Sequence, residues 1–193
     1  MKINRHKMKH MSSVAGYMYY RAKDYGVEPE MAYMLGLMHD IGYLCGRRGH
    51  EQKGAELLDM FGSDRTYIAC VNFHGVNPYK LTDDNLSSAG YKDNPAADVE
   101  SLRHCGQRPY EELAEDIKSN RYLTLLYEAD MRVDADGKIV GFKARYNDIN
   151  RRYDDEDIAE TCRDTIAYVF EWCERNGIPA PPRMDKVRKD MEL

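Results

Sequence analysis

The chain has 193 residues, 32% of them charged and 42% hydrophobic, which leaves room for one domain with a modest core under a charged surface. Its 28 basic and 33 acidic residues give a formal net charge of −5, which argues against a general nucleic-acid-binding role. No apolar run approaches the roughly 20 residues of a membrane span. The basic start, Met1 to Met11, has no apolar stretch behind it that would make a secretory signal.

The periodicity predicts a mostly helical chain. Met11, Val14, Ala15, Met18 and Ala22 line one face of a first helix, which Gly26 breaks. Pro29 suits the first turn of a second helix, running through Ala32, Leu35 and Met38 toward Gly42. Gly46 to Gly49 reads as a loop, and His50 to Phe61 as a third helix. Ser63 or Asp64 can cap a fourth helix that reaches about His74 and stops at Gly75 and Pro78.

From residue 77 to 109 the chain holds three prolines and few large aliphatics, the composition of a long loop or lid. Helix resumes near Glu111 and covers Leu123, Leu126 and Tyr127. Asp134 to Gly137 reads as a turn, and Ile139 to Tyr153 and Asp157 to Asn176 as two more helices. The expectation is a single all-α domain over 1–193, with its core at about 9–176, an insert at 77–109 and a loose tail at 179–193. The five cysteines (Cys45, Cys70, Cys105, Cys162, Cys173) form no Cys-x-x-Cys pair, so a disulfide framework or thiolate zinc site is not expected and a cytoplasmic location is.

Polar residues interrupt the apolar faces. His39 shares a helix face with Ala32, Leu35 and Gly36; His74 with Tyr67, Cys70 and Val71; Asp130 with Leu123, Leu126 and Tyr127. His50 opens the face that continues as Gly54, Leu57 and Phe61, and His10 edges the first stripe. A buried, unpaired carboxylate costs several kcal/mol. Asp40 and Asp130 among apolar neighbours therefore ask for a cation, and a divalent metal held by imidazoles and carboxylates answers that demand. The blander alternatives are hydrogen-bonded core histidines, and an Asp130 paired with Arg132 or Arg145. His6 and His104 fall in polar stretches, where surface roles are expected.

Taken together, the chain resembles the HD-domain superfamily of metal-dependent phosphohydrolases. The matching residues are His10, then His39-Asp40 in Gly-Leu-Met-His-Asp-Ile-Gly, then His50 in Gly-His-Glu-Gln-Lys-Gly-Ala, then His74 in Val-Asn-Phe-His-Gly, and Asp130 in Leu-Leu-Tyr-Glu-Ala-Asp. The His-x-x-x-Gly-Ala segment is also similar to that of bacterial HD proteins that split symmetrical dinucleoside polyphosphates.

The resemblance implies a compact helical bundle with its metal site between helices. His10, His39, Asp40 and Asp130 would hold one ion, and His50 and His74 a second, with Asp40 bridging. In one respect the chain departs from some dinuclear branches: His74 is followed by Gly75 rather than by a second histidine.

The expected activity is hydrolysis of a nucleotide or related phosphorylated small molecule by a metal-activated hydroxide, with Asp40 orienting the water. The mixed donor set favours manganese or iron, then cobalt, nickel or zinc, over magnesium. Lys53, Arg47, Arg48 and Arg132 are candidate phosphate-binding residues, and His104, on the insert, is a candidate acid for the leaving group. The competing readings are a di-iron oxygenase of the same superfamily and a non-catalytic ligand-sensing module. Neither a nucleic-acid partner nor a membrane is expected.

Overall fold

The first apolar stripe is realised as α1, Arg5–Arg21, whose buried face includes Met11, Val14, Ala15 and Met18. The computed structural model describes residues 5–46, 49–80 and 121–193. Helix α2, Pro29–Met38, begins with proline in its first turn, where the missing N–H would have had no helical partner. It packs against α1 at a place where both backbones come very close. A Cβ on Gly36 would stand 2.6 Å from the Cα of Ala15, so only glycine allows this approach.

After α2 the chain turns through His39 and Asp40 into a short 3-10 helix, Ile41–Leu44. Helix α3, His50–Met60, follows, and then α4, Arg65–Phe73, capped by the Asp64 carboxylate, which accepts the Thr66 amide at 2.8 Å. A 3-10 turn, Pro78–Lys80, closes this half.

Helix α5, Arg121–Asp130, lies in the middle of the molecule, with Leu123, Leu125 and Leu126 at most 1% exposed. A turn then pairs Val133 with Ile139 in an isolated antiparallel bridge. Helix α6 starts only at Phe142, within Phe142–Tyr153, later than the apolar pattern from Ile139 suggests. The amide of Val140 is already donated to the Arg132 carbonyl at 2.7 Å, which holds this stretch extended.

Helix α7, Glu156–Asn176, is capped by Asp155 and ended by Gly177 in the left-handed conformation at φ 64°. Its buried stripe of Ile166, Val169, Phe170 and Cys173 belongs to the same core as α1 and α5.

The tail is not loose. Residues Met184–Met191 form α8, which buries Val187 and Met191. Arg188 anchors it through a two-pronged contact with Glu174, at 2.6 and 2.9 Å. Among the described residues no helix is long and apolar enough to cross a membrane. The insert at 77–109 lies almost wholly outside the described residues, as does Cys105, while the other four cysteines are free thiols.

Candidate metal centre

Five helical elements contribute to one cluster, four of them at their ends. His10 projects from within α1, His39 and Asp40 follow α2, His50 is the first residue of α3, His74 follows α4, and Asp130 closes α5. Helix ends meet here because glycine lets them. A Cβ on Gly42 would stand 1.7 Å from the His50 carbonyl oxygen, and one on Gly54 would stand 2.8 Å from Val71 Cγ1. The His-Asp turn can therefore rest directly on the first turn of α3, and α3 on α4.

Asp40 sits at the middle, buried. Its Oδ2 faces His39 Nε2 at 3.2 Å and His10 Nε2 at 3.8 Å. Its Oδ1 faces His50 Nε2 at 3.0 Å and His74 Nε2 at 3.7 Å. On the other side of His10, Asp130 Oδ1 lies 3.0 Å from the same Nε2. Each carboxylate oxygen of Asp40 thus has its own pair of imidazoles.

The far nitrogens fix the tautomers. His10 Nδ1 lies 3.0 Å from the Asp134 carbonyl, His39 Nδ1 2.8 Å from that of Gly36, and His74 Nδ1 2.7 Å from that of Val71. A carbonyl only accepts, so each of these Nδ1 atoms carries the proton and donates it. In the neutral imidazole that leaves Nε2 as a lone pair pointing at the cluster, the arrangement that metal-ligating histidines use. His50 Nδ1 leans on the Glu51 carboxylate at 3.2 Å.

Inward lone pairs facing carboxylate oxygens repel unless a cation or proton lies between them. His39 Nε2 is buried, and it faces the Asp40 carboxylate without a well-aligned hydrogen bond. The groups His10–His39–Asp130, His39–Asp40–His74 and His50–Glu51–His74 each bring their ligand atoms within 4.8 Å of one another. The donor set therefore fits a divalent metal that accepts nitrogen and oxygen together.

The charges act in concert. Burial works against ionisation of Asp40, but the charge and hydrogen bonds of His39, His50 and His74 hold its carboxyl well below the usual range. Asp130 is likewise held low against burial by His10 and Arg145. Burial keeps His39 below the ordinary histidine value. At His74 burial is outweighed by the hydrogen bond and charge of Asp40, which push it up to about 9.

A cavity of about 980 Å³ opens over the cluster, with Lys7, Tyr43, Arg145 and Arg152 among its walls. Its cations differ from those expected of the sequence. Arg132 lies over the rings of Phe142 and Tyr17, with its guanidinium carbon 5.3 and 6.0 Å from their centroids, and does not line the cavity. Arg145 is the partner of Asp130, at 3.2 Å from both its carbonyl and its Oδ1.

The Lys53 ammonium lies 3.3 Å from where a Cβ on Gly46 would stand, away from the cavity wall. Arg47, Arg48 and His104 lie outside the described residues. His6 is exposed, with its Nδ1 2.6 Å from Asp136.

Two neighbours of the cluster went unnoticed in the sequence. Lys7, one turn before His10, reaches Asp40 Oδ2 at 2.8 Å. Its signal is the helical spacing from His10. Glu51, directly after His50, stands where a side chain at position 75 would go: a Cβ on Gly75 would be 2.7 Å from its Oε1. A second histidine after His74 would have to displace the Glu51 carboxylate.

Fold and centre together define an all-α protein with a buried histidine–carboxylate cluster suited to divalent metal. Residues 8–93 match the family model of the HD domain, whose superfamily consists in general of metal-dependent phosphohydrolases. His10, His39, Asp40, His50 and His74 all fall within the match, and Asp130 lies beyond it. The chain matches no curated protein and no solved structure.

Proposed function

We propose that this protein hydrolyses a nucleotide or a related phosphorylated small molecule with the help of one or two divalent transition-metal ions, manganese or iron foremost. His10, His39, Asp40 and Asp130 would hold one ion. His50 and His74 would hold the other, with Asp40 shared. The observation that carries the reading is the division of Asp40, one carboxylate oxygen facing each imidazole pair.

Such an ion, when bound, supplies an acidified water and polarises a phosphoryl oxygen. The chain's own residues do the rest. The backbone carbonyls behind His10, His39 and His74 keep the imidazoles in the ligating tautomer. Arg145 holds Asp130 in place. Burial and the nearby Asp40 charge raise the Tyr43 phenol above its ordinary value, so it remains a neutral hydrogen-bond donor at the cavity wall. The cavity is large enough for a nucleotide-sized ligand.

Elemental analysis of the purified protein, followed by phosphate release over a panel of nucleotides with added manganese, tests the reading. Wild type should carry metal and release phosphate, and Asp40→Ala should lose both. A wild type without metal, or an Asp40→Ala variant equal to it, overturns the proposal. Oxygen-dependent turnover in place of phosphate release would point instead to oxygenase chemistry.

A further inference from the structure

Lys7 is the unexpected member of the cluster. Its ammonium donates to Asp40 Oδ2 at 2.8 Å, the oxygen that His39 and His10 also face. It also lies 4.1 Å from the centroid of the Tyr43 ring, which in turn packs against the His50 imidazole, 4.0 Å away between centroids. The side chain is 30% exposed, against 4% for Asp40, and it lines the cavity. One end of Lys7 thus touches the buried carboxylate, and the same side chain borders the space above it.

The other lysine and arginine side chains lining the cavity among the described residues are engaged elsewhere. Arg145 is shared between Asp130 and Asp148, and Arg152 sits on Asp148 at 3.1 Å. Among the described residues, and with the histidines neutral as ligands must be, the carboxylates of Asp40, Asp130 and Glu51 meet two cations at the centre, Lys7 and Arg145, which leaves one negative charge in excess. A single divalent ion would reverse that sign and would compete with Lys7 for Asp40 Oδ2. An ammonium released from Asp40 at the cavity wall can take up an anion there. A stem with four rotatable bonds lets it turn into the cavity to find one.

We propose that Lys7 is an exchangeable cation: it neutralises Asp40 until a divalent ion takes that oxygen, and then binds a phosphoryl oxygen of the ligand in the cavity. This rests on the metal-centre reading above, but its test needs no turnover. Full-length wild type, Lys7→Met and Lys7→Gln, each stripped with chelator, are titrated with Mn²⁺, and the loaded proteins are then titrated with inorganic phosphate. Met preserves the apolar stem over Tyr43 and removes only the charge. Circular dichroism melts confirm that the variants fold.

Both variants should bind Mn²⁺ about tenfold more tightly than wild type, because a hydrogen bond between charged groups no longer has to be broken. Loaded with Mn²⁺, they should bind phosphate about tenfold more weakly. Unchanged or weaker Mn²⁺ binding in both variants overturns the proposal, and so does phosphate binding equal to that of wild type. A wild type that takes up no divalent ion sinks this inference and the metal reading together. A wild type that binds Mn²⁺ but hydrolyses nothing sinks only the hydrolase.

Discussion

Glu128 is fully buried two residues before Asp130, yet it points away from the centre. Tyr17 and Tyr25 donate their hydroxyls to it, at 2.6 and 2.5 Å, and Arg21 reaches it with Nε at 3.0 Å. Arg21 also donates to the Pro179 carbonyl at 2.8 Å, and Tyr25 stacks on Trp172. This network fixes α1 against α5 and α7, and with them the relative placement of His10 and Asp130. Glu128→Gln would leave Arg21 buried without its full counter-charge. The expected loss is about 3 kcal/mol of stability in urea unfolding, toward the lower end for a broken buried pair because Asp24 still engages Arg21. A loss below about 1 kcal/mol, the range of a surface pair, would show that the network adds little.

Residues like these also mark the limit of what the sequence discloses. His10, His39, Asp40, His50, His74 and Asp130 stood out because each interrupts an apolar face or a recognisable string, and the structure brings all six together. Glu128 interrupts nothing legible, since its partner Arg21 lies 107 positions away. Arg132 and Arg145 could not be separated as partners of Asp130 by spacing alone. Only the turn after α5 places one over the aromatic rings and the other on the carboxylate.

At the scale of elements, the helices were legible from periodicity, and some of their ends from Pro29 and from Ser63 or Asp64, of which the structure uses Asp64. The close crossings were not, because a glycine read in sequence shows freedom and not contact. Gly42 is the sharpest case. Its Cβ would meet the His50 carbonyl oxygen at 1.7 Å, with the Gly54 amide at 2.6 Å, and backbone cannot give way as a side chain can. Gly42→Ala should therefore push the His-Asp turn off α3. The expected cost is about 1–3 kcal/mol, as for other overpacked sites, together with weakened Mn²⁺ binding. Gly16 is the control: exposed in mid-helix, with nothing within 4 Å of a Cβ. Gly16→Ala should stabilise by about 0.5–1 kcal/mol and leave metal binding alone. Equal thermal shifts in the two variants would refute the role given to Gly42.

At the scale of the molecule, the cluster lies where α1 to α5 converge, so whatever fills it acts on all five at once. The candidate ligands span from His10 to Asp130, and an unfolded chain cannot hold them in one geometry. A bound ion therefore stabilises the folded state by mass action, about 2.7 kcal/mol at a free concentration one hundred times Kd. For a domain of this size that corresponds to a rise in Tm of roughly 5–10 °C. The rise should appear when Mn²⁺ is added to chelator-stripped protein, reverse with EDTA and vanish in Asp40→Asn, which keeps the shape of the side chain but not its charge. Helix α8 offers an internal comparison, because Val187 and Met191 anchor it far along the chain from the ligands. If hydrogen exchange slows on metal addition at the ends of α2, α4 and α5 but not in α8, the ion acts through the convergence of those helices. Uniform slowing across α8 as well would mean that the whole bundle, and not the ligand-bearing ends, responds to the metal.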